Sequence, residues 1–235
     1  MSTRIYVNVM APLVVGDPHN IDSESSRKDW SKFNDHLKEM ARIGVDAVST
    51  DVWWGLIEPA EGTFEWAYYD KLSRAILDAG LKWVPILSFH RCGGNIGDTA
   101  NVPVPTWVWE RARVLSGAAS IRDVRYVSEQ GNESDEYISG WATKFVMPLY
   151  ESVMREFQQH FAPLADNIAE INVSLGPAGE LRYPSYNNHD DGTDYPSRGA
   201  LQCYSGMAVA SFRRWAMDKY GNPAGIDGAW GTNVA

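Results

Sequence analysis

The feature that most constrains the fold is an alternation of apolar, β-rich runs with amphipathic helical segments. The run "RIYVNVMAPL" is followed by residues 26–44, in which large apolar residues recur at helical spacing before a glycine. The same order repeats with "VDAVSTDVWW" and a helical segment at 65–80, and "LKWVPILSFH" then gives a third apolar run. Strands that alternate with helices predict βα units and a parallel sheet.

The second half of the chain continues this order after a long predicted loop at 91–137. A helix is expected within 139–166, a fourth strand in "NIAEINVSLG", and a last helix within 201–221. A dinucleotide fold is poorly supported, because "GNIGDTA" has the wrong spacing and no helix signal after it. We therefore predict an α/β fold of the (β/α)₈ TIM-barrel type with only about the first four βα units, forming one partial barrel domain over residues 1–235.

A half barrel raises a difficulty, since a full barrel typically needs about 250 residues and an open sheet exposes two edges. We expect either that this sequence is a fragment of a longer protein or that other structure covers the edges.

The charge and hydropathy of the chain argue against some classes of binding partner. The net charge of −9 argues against nucleic acid and anionic membrane surfaces as partners. The sequence contains no run of roughly 18 apolar residues, which is the length that a membrane-spanning helix needs. The N-terminus lacks signal-peptide features, so a cytoplasmic protein and a secreted protein with its leader removed both stay open. Cys92 and Cys203 fit no metal-binding pattern, and two thiols are favoured over a disulfide.

Polar residues follow or close three of the predicted strands, where a barrel builds its active site. Asp51 lies in "STDVWWG", where a carboxylate could accept sugar hydroxyls and Trp54 could stack on a sugar ring. The alternative is that Asp51 caps the turn that follows. The 10 Trp and 11 Tyr residues fit either a ring-rich core or a cleft lined with flat apolar faces.

His90 closes the third strand and is followed by a Gly-rich loop that contains Asp98. Because glycines permit large backbone changes, this loop could be a lid that delivers Asp98 to a substrate. A static loop with Asp98 in an Asx-turn is the alternative. A metal site at His90 is weakly supported, since no second ligand lies at suitable spacing.

Glu180 stands in "GPAGELRYPSY" after the fourth strand, in a tight turn that would fix its direction. Apolar neighbours would raise its pKa, which suits a general acid; an ion pair with Arg182 is the alternative. An inverting glycosidase needs a second carboxylate roughly 6.5–9.5 Å from the first. From the residues alone, Asp51 and Asp98 are the candidates, and neither is clearly placed for that role.

Taken together, "DVWWG", "SFHRCGGNIGD", "NVPVPTWVW" and "GPAGELRYPSY" closely resemble the β-amylases in order and spacing. "DGTDYPSRGALQCYSGMAVASFRRWAMDKYG" and "AWGT" resemble bacterial members, and the resemblance runs from about Val9 to the end. It implies a (β/α)₈ glycosidase that hydrolyses α-1,4-glucosidic bonds with inversion, releasing β-maltose from non-reducing ends. The implied partners are starch, maltodextrin and maltose; the oligomeric state is not predicted.

The resemblance also implies roles for individual residues. Glu180 matches the family's general acid, which displaces Asp51 and Asp98 as catalytic candidates and assigns them to binding. Asp51 and His90 match residues that hold the sugar at the innermost subsite, and Asp98 matches an aspartate on the mobile lid. Ala178 and Tyr186 match residues that lie near the bound sugar.

The departures from the family pattern matter as much as the matches. The family's general base is a second glutamate far downstream, which these residues lack, so we expect the 235-residue chain alone to show little or no hydrolysis. A non-catalytic glucan-binding or regulatory protein is the alternative. Some bacterial members carry a structural calcium ion, and Glu58 and Glu151 lie in the matching neighbourhoods. The matching acidic positions are incomplete, so we expect no metal or other cofactor.

Overall fold

The structure is a computed structural model that describes residues 5–93, 100–174, 176, 179, 190–192 and 201–233. The chain divides into two compact units. Unit 1 comprises Met1–Val108 and Pro148–Arg182, and unit 2 comprises Trp109–Met147 and Tyr183–Ala235. Whether residues 1–235 act as one barrel domain, as the sequence predicts, stays a prediction.

Strands and helices alternate along the described residues, and residues 162–167 form a short 3₁₀ helix. The elements are β1 (Asn8–Met10), α1 (Glu24–Arg42), β2 (Ala47–Trp53), α2 (Trp54–Ile57), α3 (Ala67–Asp78), β3 (Lys82–Ser88), α4 (Thr106–Ser116), α5 (Ile121–Val124), β4 (Tyr126–Val127), β5 (Glu133–Ser134), α6 (Thr143–Phe161), the 3₁₀ helix Ala162–Asn167, β6 (Asn172–Val173), α7 (Gly206–Tyr220) and α8 (Pro223–Trp230).

Unit 1 contains a parallel sheet in the order β1-β2-β3-β6. Strands β2 and β3 pair along seven positions, from Ala47 opposite Lys82 to Trp53 opposite Ser88. Strand β6 then pairs with β3 at Ile86 and Leu87. Four parallel strands in chain order with helices between them are the arrangement of successive βα units in a barrel, so the predicted α/β class is confirmed.

Helices cover the sheet because their apolar residues repeat on one face. Every residue of β2 is buried, as expected for a parallel strand covered on both sides. Helix α1 begins at an N-cap, Ser23, whose hydroxyl accepts a hydrogen bond from the Ser26 N–H. Its buried face includes Trp30, Phe33 and Leu37, so the spacing seen in the sequence corresponds to the packed face.

Buried polar atoms inside the sheet find partners within it. The indole of Trp83, which has no exposed surface, donates to the hydroxyl of Thr50 at 2.8 Å. The Tyr69 hydroxyl accepts from the backbone N–H of Trp53 at 2.8 Å. Because an unpaired buried polar group costs about 1–3 kcal/mol, these bonds favour one register of the strands.

The prediction of a loop at 91–137 was wrong for much of this region. It contains helices α4 and α5 and the β4–β5 pair. The Pro and Gly residues before position 106 marked a loop, but Pro105 lies just before α4, where a proline is compatible with a helix start. The first strand is also shorter than predicted, and Pro12, which has no N–H to donate, follows its last paired residues.

In unit 2, helix α7 packs against α8 and against the short helix α5, and α5 packs against β4. The Asp123 carboxylate accepts from the N–H of Gly206 at 3.0 Å. Asp190 is buried and accepts from the Ser128 hydroxyl at 2.7 Å and from the Asn132 amide at 2.6 Å. These bonds tie sequence-distant segments of the unit together.

The described residues include both cysteines and helices that can be compared with a membrane span. Cys92 and Cys203 are not joined by a disulfide, which agrees with the favoured interpretation. None of the helices that the structure describes is long and apolar enough to cross a membrane.

Gly55 gives a test of the packing around α2. A Cβ at this position would run into the backbone carbonyl oxygen of Pro103. We expect Gly55→Ala to lower the free energy of unfolding by about 1–3 kcal/mol or more, since a backbone atom cannot swing aside. Chemical denaturation monitored by circular dichroism measures this change.

The matched control is Gly228→Ala in α8, where a Cβ would meet nothing within 4 Å. It should be neutral or should stabilise the helix by about 0.5–1 kcal/mol. Equal effects of the two substitutions would contradict the described packing of Gly55.

Candidate functional site

Asp51 is a buried carboxylate in strand β2, two residues before the strand ends. Its exposed fraction is 8%, and its Oδ1 accepts a hydrogen bond from the Ser88 hydroxyl at 2.6 Å. Burial raises the pKa of Asp51, and the hydrogen bond from Ser88 partly opposes that rise. The interpretation of Asp51 as a turn cap does not fit, because α2 has Trp53 as its N-cap with no side-chain capping bond.

His90 lies two residues beyond the end of β3. Its exposed fraction is 9%, and its ring packs edge-on against Trp53 with the centroids 5.1 Å apart. The site therefore combines a buried carboxylate from β2 with an imidazole that follows β3, at the same edge of the sheet. Both types of side chain bind sugar hydroxyls well, because one is an acceptor and the other can donate or accept.

Gly179 brings the segment after β6 against this histidine. A Cβ on Gly179 would lie 3.1 Å from Cε1 of His90, and the φ angle of Gly179 is +73°. Both the close approach and the left-handed backbone require glycine. Gly179 precedes Glu180 in the sequence, so the residue before the predicted general acid contacts the predicted sugar-binding histidine.

The ends of the strands in unit 1 are fixed by further polar contacts. Ser174, which follows β6, accepts from the N–H of Phe89 through its hydroxyl at 2.9 Å. The Ser174 N–H in turn donates to the carbonyl of Leu87 at 3.0 Å. The carboxyl ends of β3 and β6 are thus held together where His90 and Gly179 meet.

Trp54 requires a correction to the sequence-based interpretation. Its exposed fraction is 1%, and its ring packs edge-on against Phe89, Trp107 and Tyr150. A ring covered by three aromatic neighbours offers no face on which a sugar could stack. We assign Trp54 to the packing beneath the site and not to substrate contact.

Sequence reasoning missed the residues that hold Asp51 and Trp53. Ser88 bonds Asp51, the Tyr69 hydroxyl accepts from the Trp53 N–H, and the Trp53 indole donates to the Leu13 carbonyl at 2.8 Å. Burial raises the pKa of Tyr69 far above its ordinary value, so its hydroxyl stays protonated. The polar side chains within apolar runs were the available signal, but their partners depend on strand register.

The base of the Gly-rich loop is closed by a backbone pair. Cys92 and Val102 exchange two hydrogen bonds, at 2.8 and 3.0 Å, and both side chains are buried beside Trp53. This pair brings the two ends of the loop together just past His90. Asp98, the predicted lid residue, lies outside the described residues, as do Ala178, Glu180 and Tyr186.

Whether the protein binds a structural calcium ion stays a prediction that the described residues do not test. They contain no group of three or more His, Cys, Asp or Glu residues that could hold a metal ion. Glu58 is buried and accepts from the Trp54 indole at 2.7 Å and from the Gly62 N–H at 2.9 Å. Burial raises its pKa, which these two bonds oppose, so Glu58 has a structural role here, and Glu151 is exposed on α6.

Known proteins resemble this chain along most of its length. The thermophilic β-amylase of Thermoanaerobacterium thermosulfurigenes is 42% identical over 207 residues, covering 88% of this chain and 36% of that protein. The β-amylase of Niallia circulans is 41% identical, covering 88% of this chain and 34% of that protein. The chain thus spans about a third of the length of these relatives.

A solved structure is also similar to this chain. The catalytic domain of the β-amylase from Paenibacillus polymyxa superposes with a TM-score of 0.77 and 38% identity, covering 98% of this chain and 51% of that one. The match supports the partial-barrel architecture of the sheet. The family model of glycosyl hydrolase family 14 matches residues 8–235, and the chain therefore belongs to glycosyl hydrolase family 14.

Proposed function

We propose that the protein carrying this chain is an exo-acting, inverting hydrolase of α-1,4-glucans that releases β-maltose from non-reducing ends. The observation that carries the proposal is that Asp51 near the end of β2, His90 after β3 and Gly179 after β6 lie at one edge of the sheet in unit 1, with Gly179 against His90. The relatives that share the family are named β-amylases, which supports the choice of a starch-type glucan as the substrate.

Sugar binding follows from the chemistry of the site. The carboxylate of Asp51 accepts a sugar hydroxyl, and the imidazole of His90 accepts or donates a second hydrogen bond. Both groups are mostly buried, and a hydrogen bond to an ionised group is worth more where water is excluded. Two neighbouring hydroxyls of a terminal glucose could meet these two groups together.

Hydrolysis requires an acid and a base on opposite faces of the sugar. In our proposal, Glu180 protonates the glycosidic oxygen, and a water molecule attacks the anomeric carbon from the other face. The carboxylate that activates this water lies outside the 235 residues, in keeping with the fraction of the relatives that the chain spans. Asp98 closes over the sugar from the loop, and Ala178 and Tyr186 line the bound glucan.

A non-catalytic glucan-binding protein is the second candidate. It is favoured by Asp51 and His90, because two buried sugar-holding groups can bind a glucan without hydrolysing it. Release of β-maltose from starch, with the anomer identified by NMR, separates the candidates. An α-anomeric product would contradict inversion, and glucan binding without any maltose release would favour the second candidate.

Glu180 can be tested directly in the protein produced from its own gene. We expect Glu180→Gln to lower kcat on starch by about 10²–10⁴-fold, because the amide cannot protonate the leaving oxygen. Binding of maltose should persist, since the substitution keeps the size of the side chain. Steady-state kinetics and calorimetric titration measure the two effects.

The matched control is Glu65→Gln, at an exposed glutamate in unit 1, which should leave kcat unchanged. An unchanged kcat for Glu180→Gln would remove Glu180 from the role of general acid.

Asp51→Asn tests the binding half of the site. The amide keeps the shape of the side chain, and its oxygen can still accept from Ser88, so the fold should be retained. We expect the affinity for maltose to fall about tenfold or more, because a charge-assisted hydrogen bond to the sugar is lost. Calorimetric titration with maltose at neutral pH measures this change.

Asp29→Asn, at an exposed position of α1, is the control and should bind maltose normally. Equal affinities of the Asp51 variant and the unmodified protein would remove Asp51 from sugar binding.

A further inference from the structure

We propose that Ser88 is a positioning residue that fixes the Asp51 carboxylate for sugar binding and sets the pH below which this binding is lost. The inference rests on the proposed function, because it assumes that Asp51 accepts a sugar hydroxyl. In this role, Ser88 keeps the buried carboxylate of Asp51 ionised and oriented toward the sugar.

The geometry assigns one oxygen of Asp51 to the protein. Ser88 lies on β3 with 1% of its surface exposed, and its hydroxyl is 2.6 Å from Oδ1 of Asp51. This distance is typical of a hydrogen bond from a hydroxyl to a carboxylate. Among the described residues, Ser88 donates to this side chain and Oδ2 accepts from none, so Oδ2 is the oxygen left for a sugar.

The Ser88 hydroxyl has a second possible acceptor, the carbonyl oxygen of Ile86 at 3.2 Å. A hydroxyl carries one hydrogen and can donate to only one acceptor at a time. When Asp51 is ionised, the shorter contact indicates that the hydrogen points to the carboxylate. When Asp51 is protonated, the Ser88 hydroxyl no longer faces a charge, so the contact is weaker than in the ionised state.

Strand register explains why Ser88 can reach Asp51. Asp51 pairs with Ile86, and Trp53 pairs with Ser88, so the two side chains belong to neighbouring strands and lie two residues apart in register. A short serine on β3 spans this diagonal distance. The rotation of the carboxylate is thereby fixed by a strand and not by a loop, which suits a group that must aim at one sugar hydroxyl.

The surroundings of Asp51 determine the sign of the pH effect. Burial raises the pKa of Asp51, and the bond from Ser88 lowers it. The titratable groups of neighbouring elements include Tyr69 of α3, which interacts electrostatically with Asp51 and stays neutral, and His90 beyond β3. Removing the Ser88 hydroxyl therefore takes away a contact that favours the ionised form, and the pKa of Asp51 should rise further.

Sugar binding then has a predictable pH dependence. Binding needs the ionised carboxylate, so affinity falls as the pH drops through the pKa of Asp51. In Ser88→Ala this loss should begin at a higher pH, by about one pH unit, which corresponds to a tenfold lower affinity on the acidic side. Ser88→Thr retains a hydroxyl at the same position and should restore most of the original profile.

The experiment combines two measurements on the protein produced from its own gene. The carboxyl ¹³C shift of Asp51 is titrated by NMR in the absence of sugar, which separates its protonation from that of His90. The dissociation constant for maltose is measured by calorimetry over the same pH range. Ser73→Ala is the matched control, because Ser73 is an equally buried serine whose hydroxyl bonds a backbone carbonyl.

The outcomes separate this inference from the proposed function. Parallel upward shifts of the Asp51 titration and of the binding midpoint in Ser88→Ala, absent from Ser73→Ala, support the role of Ser88. An unshifted titration, or a shifted titration with an unshifted binding midpoint, overturns it. If Asp51→Asn binds maltose normally, the proposed function fails at Asp51, and the role of Ser88 in sugar binding fails with it.

Discussion

The pairing of β2 with β3 along seven positions is the interaction on which the rest of unit 1 depends. Each strand is buried among helices that follow it in the chain, so the register of this pair determines which side chains meet. Trp83 reaches Thr50, and Ser88 reaches Asp51, only in this register. A slip by one residue would reverse the faces of the strand and leave buried polar groups unpaired.

The same pairing places the candidate functional groups at one edge of the sheet. Asp51 precedes the end of β2, His90 follows β3, and Gly179 follows β6. Because parallel strands end at a common edge, the chain assembles a site from residues more than a hundred positions apart. The cost of burying a carboxylate there is reduced by the hydroxyl of Ser88, which ends β3 after the apolar run 83–87.

The sequence predicted the parts of this arrangement that depend on local pattern. The alternation of strands and helices, and the positions of Asp51 and His90 near strand ends, follow from periodicity and were confirmed. The partners Ser88 and Tyr69 depend on register and on helix packing, which periodicity does not determine. Trp54 was misinterpreted because a tryptophan at a strand-to-helix junction can face either the core or a cleft, and only the packing decides.

We propose that Asp51, held by Ser88, is a sugar-binding carboxylate. A crystal structure of the protein produced from its own gene, with maltose bound, tests this claim most directly. We expect Oδ2 of Asp51 within hydrogen-bond distance of a glucose hydroxyl, about 2.5–3.0 Å, with Oδ1 still bonded to Ser88. Maltose bound with no contact to Asp51, or with Asp51 turned away from Ser88, would contradict the account.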